Sequence, residues 1–190
     1  MALEQVRNNK VYELPLEDFR NLAPEMHCDQ PPLISPDLTP IEVCQLIGEW
    51  YVAHSNEARR REAGQFFTPA NIARYMANMA GTLVDHAKVL DPGSGVGILG
   101  CAICEAAITY NISALHVVAY ESDPVLHVLC SFTLNYAREY LAKHGIELTF
   151  ELHRQDFLEA MADQITQHSL WSAGRGSAIT NTKRLEVING

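Results

Sequence analysis

Two acidic residues, each placed where a strand hands over to a loop, set the chemistry open to this sequence. Asp91 opens the run Asp91-Pro92-Gly93-Ser94-Gly95-Val96-Gly97, and Glu121 follows 24 residues after Gly97. Glycines at a strand-to-helix handover let the backbone approach a ligand closely and free the amide donors of the helix N-terminus. In a dinucleotide site such a loop cradles a pyrophosphate, which a carboxylate just before the glycines repels. The same carboxylate attracts a ligand with a cationic end, and S-adenosylmethionine carries both an ammonium and a sulfonium. Glu121 can accept from both ribose hydroxyls, which suits NAD and S-adenosylmethionine alike. The plainer alternatives are a tight turn at the glycines and a solvated strand-end acid at Glu121. Asp156, in Gln155-Asp156-Phe157, could accept from an adenine amino group while the ring packs on the base; taken alone it reads as a helix N-cap.

Other reactive types lead nowhere as sharp. Cys101-x-x-Cys104 has redox or metal-ligand spacing, but no second pair or nearby histidine set completes a zinc site. On an apolar helix behind the glycine loop, two packed thiols are the better reading. The eight histidines are scattered, with no pair four apart. Arg59-Arg60-Arg61 reads as a solvated helix face before it reads as a phosphate contact beside a pocket. Trp50 and Tyr51 read as core aromatics rather than a base-stacking platform.

The elements that must position these groups follow from periodicity and punctuation. Six of the nine prolines fall by position 40, so residues 1–38 are expected to form an irregular arm that wraps a body or hangs free. Thr39-Pro40 reads as an N-cap and first helical residue, with Ile41, Cys44, Ile47 and Tyr51 on one helical face to about His54. Thr68-Pro69 is a second start, followed by Ile72, Ala73, Met76, Met79 and Ala80 on one face and a stop at Gly81. Lys88–Asp91, His116–Glu121 and Ile146–Leu152 then read as strands, separated by helices over Gly97–Ala107 and Asp123–His144. A short helix is expected over Phe157–Gln164. Alternation of strand and helix predicts a parallel α/β sheet of the Rossmann type over residues 39–167. Residues 168–190 read as a flexible tail in which only Leu185–Ile188 could form another strand.

Composition sets the bounds. The chain has 190 residues, 47% hydrophobic and 19% charged, which suits a folded domain. Its apolar stretches are too short to span a bilayer, and Met1–Glu13 lacks the apolar core of a signal peptide. Five cysteines without a regular framework fit a reducing compartment, so the expected location is cytoplasmic. Fourteen basic residues against 23 acidic ones give a net charge of −9, and a surface that grips nucleic acid is usually basic. Any hold on DNA must come mostly from elsewhere.

Gly64-Gln65-Phe66-Phe67-Thr68-Pro69 followed by Asp91-Pro92-Gly93-Ser94-Gly95-Val96-Gly97 resembles the opening of adenine-specific (amino) DNA methyltransferases. The match is to the N-terminal methylase region of type II restriction-modification enzymes, over about residues 40–165. The resemblance implies half of a Rossmann-like S-adenosylmethionine-dependent methyltransferase fold, α/β with three or four mostly parallel strands and an N-terminal helical arm. It further implies that Thr68, with its neighbours Phe67 and Pro69, contacts the methionine end of the cofactor. Asp91, Gly93 and Gly95 form its floor, with Pro92 and Ser94 in the same loop. Glu121 holds the ribose, Asp156 and Phe157 hold the adenine, and Ser122 and Asp123 line the adenine pocket.

One part of the family pattern is missing. An Asn-Pro-Pro-Tyr-type motif after the fourth strand binds the flipped target adenine in these enzymes, accepting from its amino group and stacking on its ring. This sequence contains no Asn-Pro-Pro; Asn181 and Asn189 stand in the relevant stretch without a following proline. The resemblance therefore implies the cofactor-binding portion of a longer, DNA-acting enzyme, truncated before its methyl-transfer centre and inactive alone. A non-catalytic subunit that binds cofactor or a partner chain, for instance as a homodimer at the exposed sheet edge, is the alternative. A nicotinamide-dependent enzyme is disfavoured by Asp91 and by the upstream Phe-Phe-Thr-Pro.

Overall fold

The computed structural model of the chain describes residues 11–15, 17, 21–22, 31–162 and 165. The expected tail with its strand at Leu185–Ile188, and much of the N-terminal arm, lie outside these residues. The chain divides into two compact units, Met1–Phe157 and Leu158–Gly190, and the architecture described here belongs to the first.

Helix α1 (Pro40–His54) starts as its residues dictate. Thr39 and Glu42 form a reciprocal capping box: the Thr39 N–H donates to Glu42 Oε2 at 2.8 Å, and Thr39 Oγ1 accepts from the Glu42 N–H at 3.5 Å. Ile41, Cys44, Ile47 and Tyr51 are buried, as are Val43 and Trp50. The polar stretch after it contains a short helix, α2 (Glu57–Glu62), capped by Asn56 and burying nothing. Helix α3 (Ala70–Met79) begins after Pro69, close to the expected start. Of the expected face only Ala73 is buried, together with Ala70 and Ala77, while Ile72 and Met76 are each 45% exposed and Met79 68%. Small side chains let α3 approach the body closely, and that contact outcompetes burial of the larger ones.

The sheet is fully parallel in the order β1-β2-β3, formed by β1 (Ala87–Asp91), β2 (Ala114–Tyr120) and β3 (Glu147–His153). Val89 stands opposite Val117, and Val117 opposite Phe150. Helices α4 (Ile98–Thr109) and α5 (Pro124–Ala142) make the two crossovers. They pack on the side carrying the buried Leu115, Val117, Ala119 and Leu148. On the opposite side stand the exposed Lys88, Leu90, Thr149 and Glu151. There His116 Nδ1 lies 2.8 Å from Thr149 Oγ1, so that face mixes polar groups with the exposed Leu90, where a parallel sheet is usually apolar throughout.

Asp85 fixes the base of the sheet. Its Oδ1 accepts from the N–H groups of Ser113 and Ala114 at 2.7 and 3.1 Å, and the Ser113 hydroxyl donates to both carboxylate oxygens. The described part of the arm wraps rather than hangs free. Tyr12 bridges to Ile34, its ring meets Tyr136 edge-on at 4.8 Å, and the Tyr136 hydroxyl donates to the Leu38 carbonyl at 2.6 Å. No helix among the described residues is long and apolar enough to cross a membrane.

Candidate cofactor pocket

The loop after β1 is held from below and open above. Asp91 is only 5% exposed, and its Oδ2 has no hydrogen-bond partner among the described residues. Burial pushes its carboxyl above the usual range, against the pull of the Gly93 and Gly100 N–H groups. An added Cβ at Gly93 or Gly95 would meet nothing within 4 Å among the described residues, and Gly95 sits at φ +55. Gly97 is of another kind. It caps α4 at φ +86, and a Cβ there would stand 2.8 Å from Thr133 Oγ1 and 3.2 Å from Cys130 Sγ. Its role is to let α4 and α5 close on each other.

Glu121 ties this loop to the next. Gly95 N–H donates to its Oε2 and Asp123 N–H to its Oε1, both at 2.8 Å. Burial pushes the Glu121 carboxyl upward, opposed by those same two N–H groups. Asp123 divides its own oxygens. Oδ1 caps α5 by accepting from the Val125 and Leu126 N–H groups at 2.9 and 3.0 Å, while Oδ2 accepts from Gln65 Nε2 at 3.0 Å.

These parts enclose an open cavity of about 400 Å³. Gly64, Gln65, Phe66 and Phe67 form one wall; Gly93, Gly95, Glu121, Ser122 and Asp123 form the other, and Leu126 and Arg59 also line the space. The upstream and glycine motifs, far apart in sequence, thus meet across one space. Two carboxylates and one guanidinium line it. A polyanion such as a pyrophosphate finds little support in that balance, and a cationic ligand finds more.

Of the residues singled out in the sequence, Phe67, Gly93, Gly95, Glu121, Ser122 and Asp123 line this cavity. Thr68 and Pro69 line a second, more apolar one of about 400 Å³, with Phe67 shared between the two. Asp91 lies buried at the strand end and Pro92 is exposed beside it. Ser94 turns inward: its N–H and Oγ both reach the Tyr120 carbonyl, at 2.9 and 3.3 Å. Asp156 is exposed just before the helical residues 157–162, and the Phe157 ring meets Tyr120 edge-on at 5.2 Å. Gln65, Phe66 and Arg59 are wall residues the motif reading did not assign. Gln65 and Phe66 lie inside the Gly-Gln-Phe-Phe-Thr-Pro segment, whereas Arg59 lies in the basic cluster expected to be a solvated helix face. That reading fits Arg61, which pairs with Glu57 on the surface, and α2 buries none of the three arginines. Cys101 and Cys104 are fully buried, as packed thiols should be.

The chain matches the family model described as N-6 DNA Methylase over residues 42–188, and it belongs to that family. It is 35% identical over 101 residues to the Type II methyltransferase M.BsuBI of Bacillus subtilis, covering 53% of this chain and 19% of that protein. It is 24% identical over 132 residues to the Type II methyltransferase M.PstI of Providencia stuartii, covering 70% and 26% respectively. The chain thus spans about a fifth to a quarter of these relatives, and the resemblance read from the two motifs is borne out. Among solved structures, it is similar to one assigned to the class I S-adenosylmethionine-dependent methyltransferases from Listeria monocytogenes. That similarity has a TM-score of 0.45 and 16% identity, over 64% of this chain and 36% of the other.

Proposed function

We propose that this chain carries the S-adenosylmethionine-binding portion of an adenine-specific amino DNA methyltransferase of a restriction-modification system. The observation that carries this reading is the cavity that brings residues 64–67 against Gly93, Gly95 and residues 121–123. The residues present fit the cofactor. Asp91, buried at the end of β1 and lining neither cavity, puts a carboxylate at the root of the glycine loop, which suits a cationic end by charge rather than by direct contact. Gly93 and Gly95 leave open space where side chains would stand. Each Glu121 oxygen uses one acceptor position on a backbone N–H and keeps another for a ribose hydroxyl. Thr68 would meet the methionine end, and Asp156 with Phe157 the adenine. When bound, S-adenosylmethionine supplies an electrophilic methyl group whose thioether leaves without acid assistance. The residues here bind and orient, and positioning dominates such a step.

The same proposal holds that these 190 residues bind cofactor without methylating DNA, because the sequence has no Asn-Pro-Pro motif to hold a target adenine. With a net charge of −9, the grip on double-stranded DNA belongs to other parts of a full-length, cytoplasmic enzyme. Calorimetric titration with S-adenosylmethionine, S-adenosylhomocysteine and NAD tests the cofactor. Binding of the first two and not the third is expected; NAD binding alone overturns the reading. Robust methylation of DNA by the purified chain would overturn the claim of inactivity.

One observation favours a second reading, a non-catalytic subunit. Among the described residues β1 pairs only with β2, leaving an edge open to another chain or a second copy. Light scattering on a gel-filtration peak distinguishes the two: a defined oligomer favours the subunit.

A further inference from the structure

We propose that Gln65 is a positioning residue: its side chain latches the segment 64–68 to Asp123 and so sets the spacing between that segment and the Glu121 carboxylate. The inference rests on the cofactor reading of the pocket and adds to it a residue that contributes through its neighbours. Three elements meet at this one amide. The Tyr51 hydroxyl, from α1, donates to Gln65 Oε1 at 3.1 Å, and Gln65 Nε2 donates to Asp123 Oδ2 at 3.0 Å. Asp123 passes the connection on, since its backbone N–H donates to Glu121 Oε1 and Glu121 Oε2 accepts from Gly95. A continuous chain of hydrogen bonds therefore runs from α1 through the upstream motif to the glycine loop.

The local backbone aims Gln65 at this task. Gly64 N–H donates to the Arg61 carbonyl at 3.1 Å and Gln65 N–H to the Arg60 carbonyl at 2.9 Å, closing α2 with Gly64 at φ +64. The chain then leaves α2 toward the pocket, and Phe67 packs on Tyr51 at 5.6 Å between ring centres. The amide orientation is fixed by chemistry. A carboxylate only accepts, so the NH₂ must face Asp123, and Oε1 must face the phenol. Tyr51 remains a donor throughout the working range, because burial, with the Asp123 charge second, pushes its hydroxyl up to about 12. A glutamate at position 65 would have the right length and the wrong charge, setting two carboxylates against each other.

Gln65→Glu, Asp123→Asn and the double variant form the test, with S-adenosylhomocysteine and S-adenosylmethionine as probes. At pH 7.5 the Gln65→Glu chain should bind about tenfold more weakly than the unaltered chain, the loss of a charge-assisted hydrogen bond plus like-charge repulsion. Near pH 5, where the raised glutamic acid takes up a proton and can donate, affinity should return to within about threefold of the unaltered chain at that pH. The double variant restores one donor and one acceptor and should recover at pH 7.5, since an asparagine at position 123 can still cap α5. A residue that merely supports the fold gives neither the pH-dependent recovery nor the rescue.

Hydrogen exchange in the ligand-free chain reads the latch independently. Protection at the Gln65 and Gly95 amides should fall together in Gln65→Glu at pH 7.5 and recover in the double variant. Unchanged protection at both amides overturns the latch whatever the binding result. An unaltered chain that binds neither probe overturns the cofactor reading, while exchange still decides the latch.

Discussion

Glu121 and Gly95 are joined by a 2.8 Å hydrogen bond from the glycine N–H to Oε2, and this bond spans two crossover loops. It makes the carboxylate part of the wall that shapes the pocket as well as a candidate ligand contact. Glu121→Gln keeps the size but turns an NH₂ toward one of two backbone donors. Affinity for S-adenosylhomocysteine should fall at least about tenfold, from about 1.5 kcal/mol lost at a charged acceptor. Because burial raises this carboxyl, affinity in the unaltered chain should begin to fall with acid at a higher pH than an ordinary glutamate allows. Titration calorimetry at several pH values checks both.

Asp91 predicts a trade between binding and stability. For a carboxyl raised in the folded state, the folded chain holds the proton more tightly, so stability declines as pH rises through the window above the ordinary aspartate value. Once ionised, the group is a buried charge with one oxygen unpartnered among the described residues. Asp91→Asn should therefore stabilise the ligand-free fold by about 1 kcal/mol, or about 2–4 °C in Tm, and flatten that pH dependence. Its affinity for S-adenosylmethionine should fall. Paired thermal melts and titrations at pH 5 and pH 7.5 test the pair of effects; a variant both less stable and unaltered in binding contradicts it.

The glycines should respond in opposite ways. Gly97→Ala places a Cβ 2.8 Å from Thr133 Oγ1 at φ +86, so it should cost about 2 kcal/mol or more of folding stability. Gly93→Ala meets nothing and needs no unusual backbone, so it should fold normally and bind ligand less well. Denaturant unfolding separates the two.

Asp85 should add a modest, salt-screened share of acid stability, because its side chain is half exposed. Hydrogen bonds from Ser113 hold its carboxyl down at about 2, below the ordinary aspartate value. The sign is opposite to that of Asp91. The stabilising contribution is complete above the ordinary value and is lost as pH falls from about 4 toward about 2. Asp85→Asn should shrink the loss of stability in that window, measured by circular dichroism across an acid titration.

The elements were legible because their punctuation is local. Thr39-Pro40 and Asp123-Pro124 announce helix starts, and each caps the helix expected of it. The loop residues Gly93, Gly95 and Glu121 could be named because the fold places strand ends together regardless of side-chain detail. What escaped was decided by distance in sequence. Gln65 meets Asp123 across 58 positions, and no local pattern marks a pair so far apart. Ser94 carries a hydroxyl that looks available in a loop, yet β2 supplies a carbonyl that turns it inward. On α3 the helical period holds and Ala73 is buried as expected, but the rest of the buried side is Ala70 and Ala77 rather than Ile72, Met76 and Met79. The close approach permitted by Ala70, Ala73 and Ala77 fixed the helix by backbone fit rather than by the size of its apolar groups.

The cavity is assembled from three stretches of chain, residues 59–67, 93–95 and 121–126. A ligand seated there gains contacts only while all three remain in place, so occupancy and cooperative folding are thermodynamically linked. Ligand at a hundred times its Kd should add about 2.7 kcal/mol to the unfolding free energy of the whole Rossmann-like unit. A melting curve is thus a titration of the pocket, readable without any methyl acceptor.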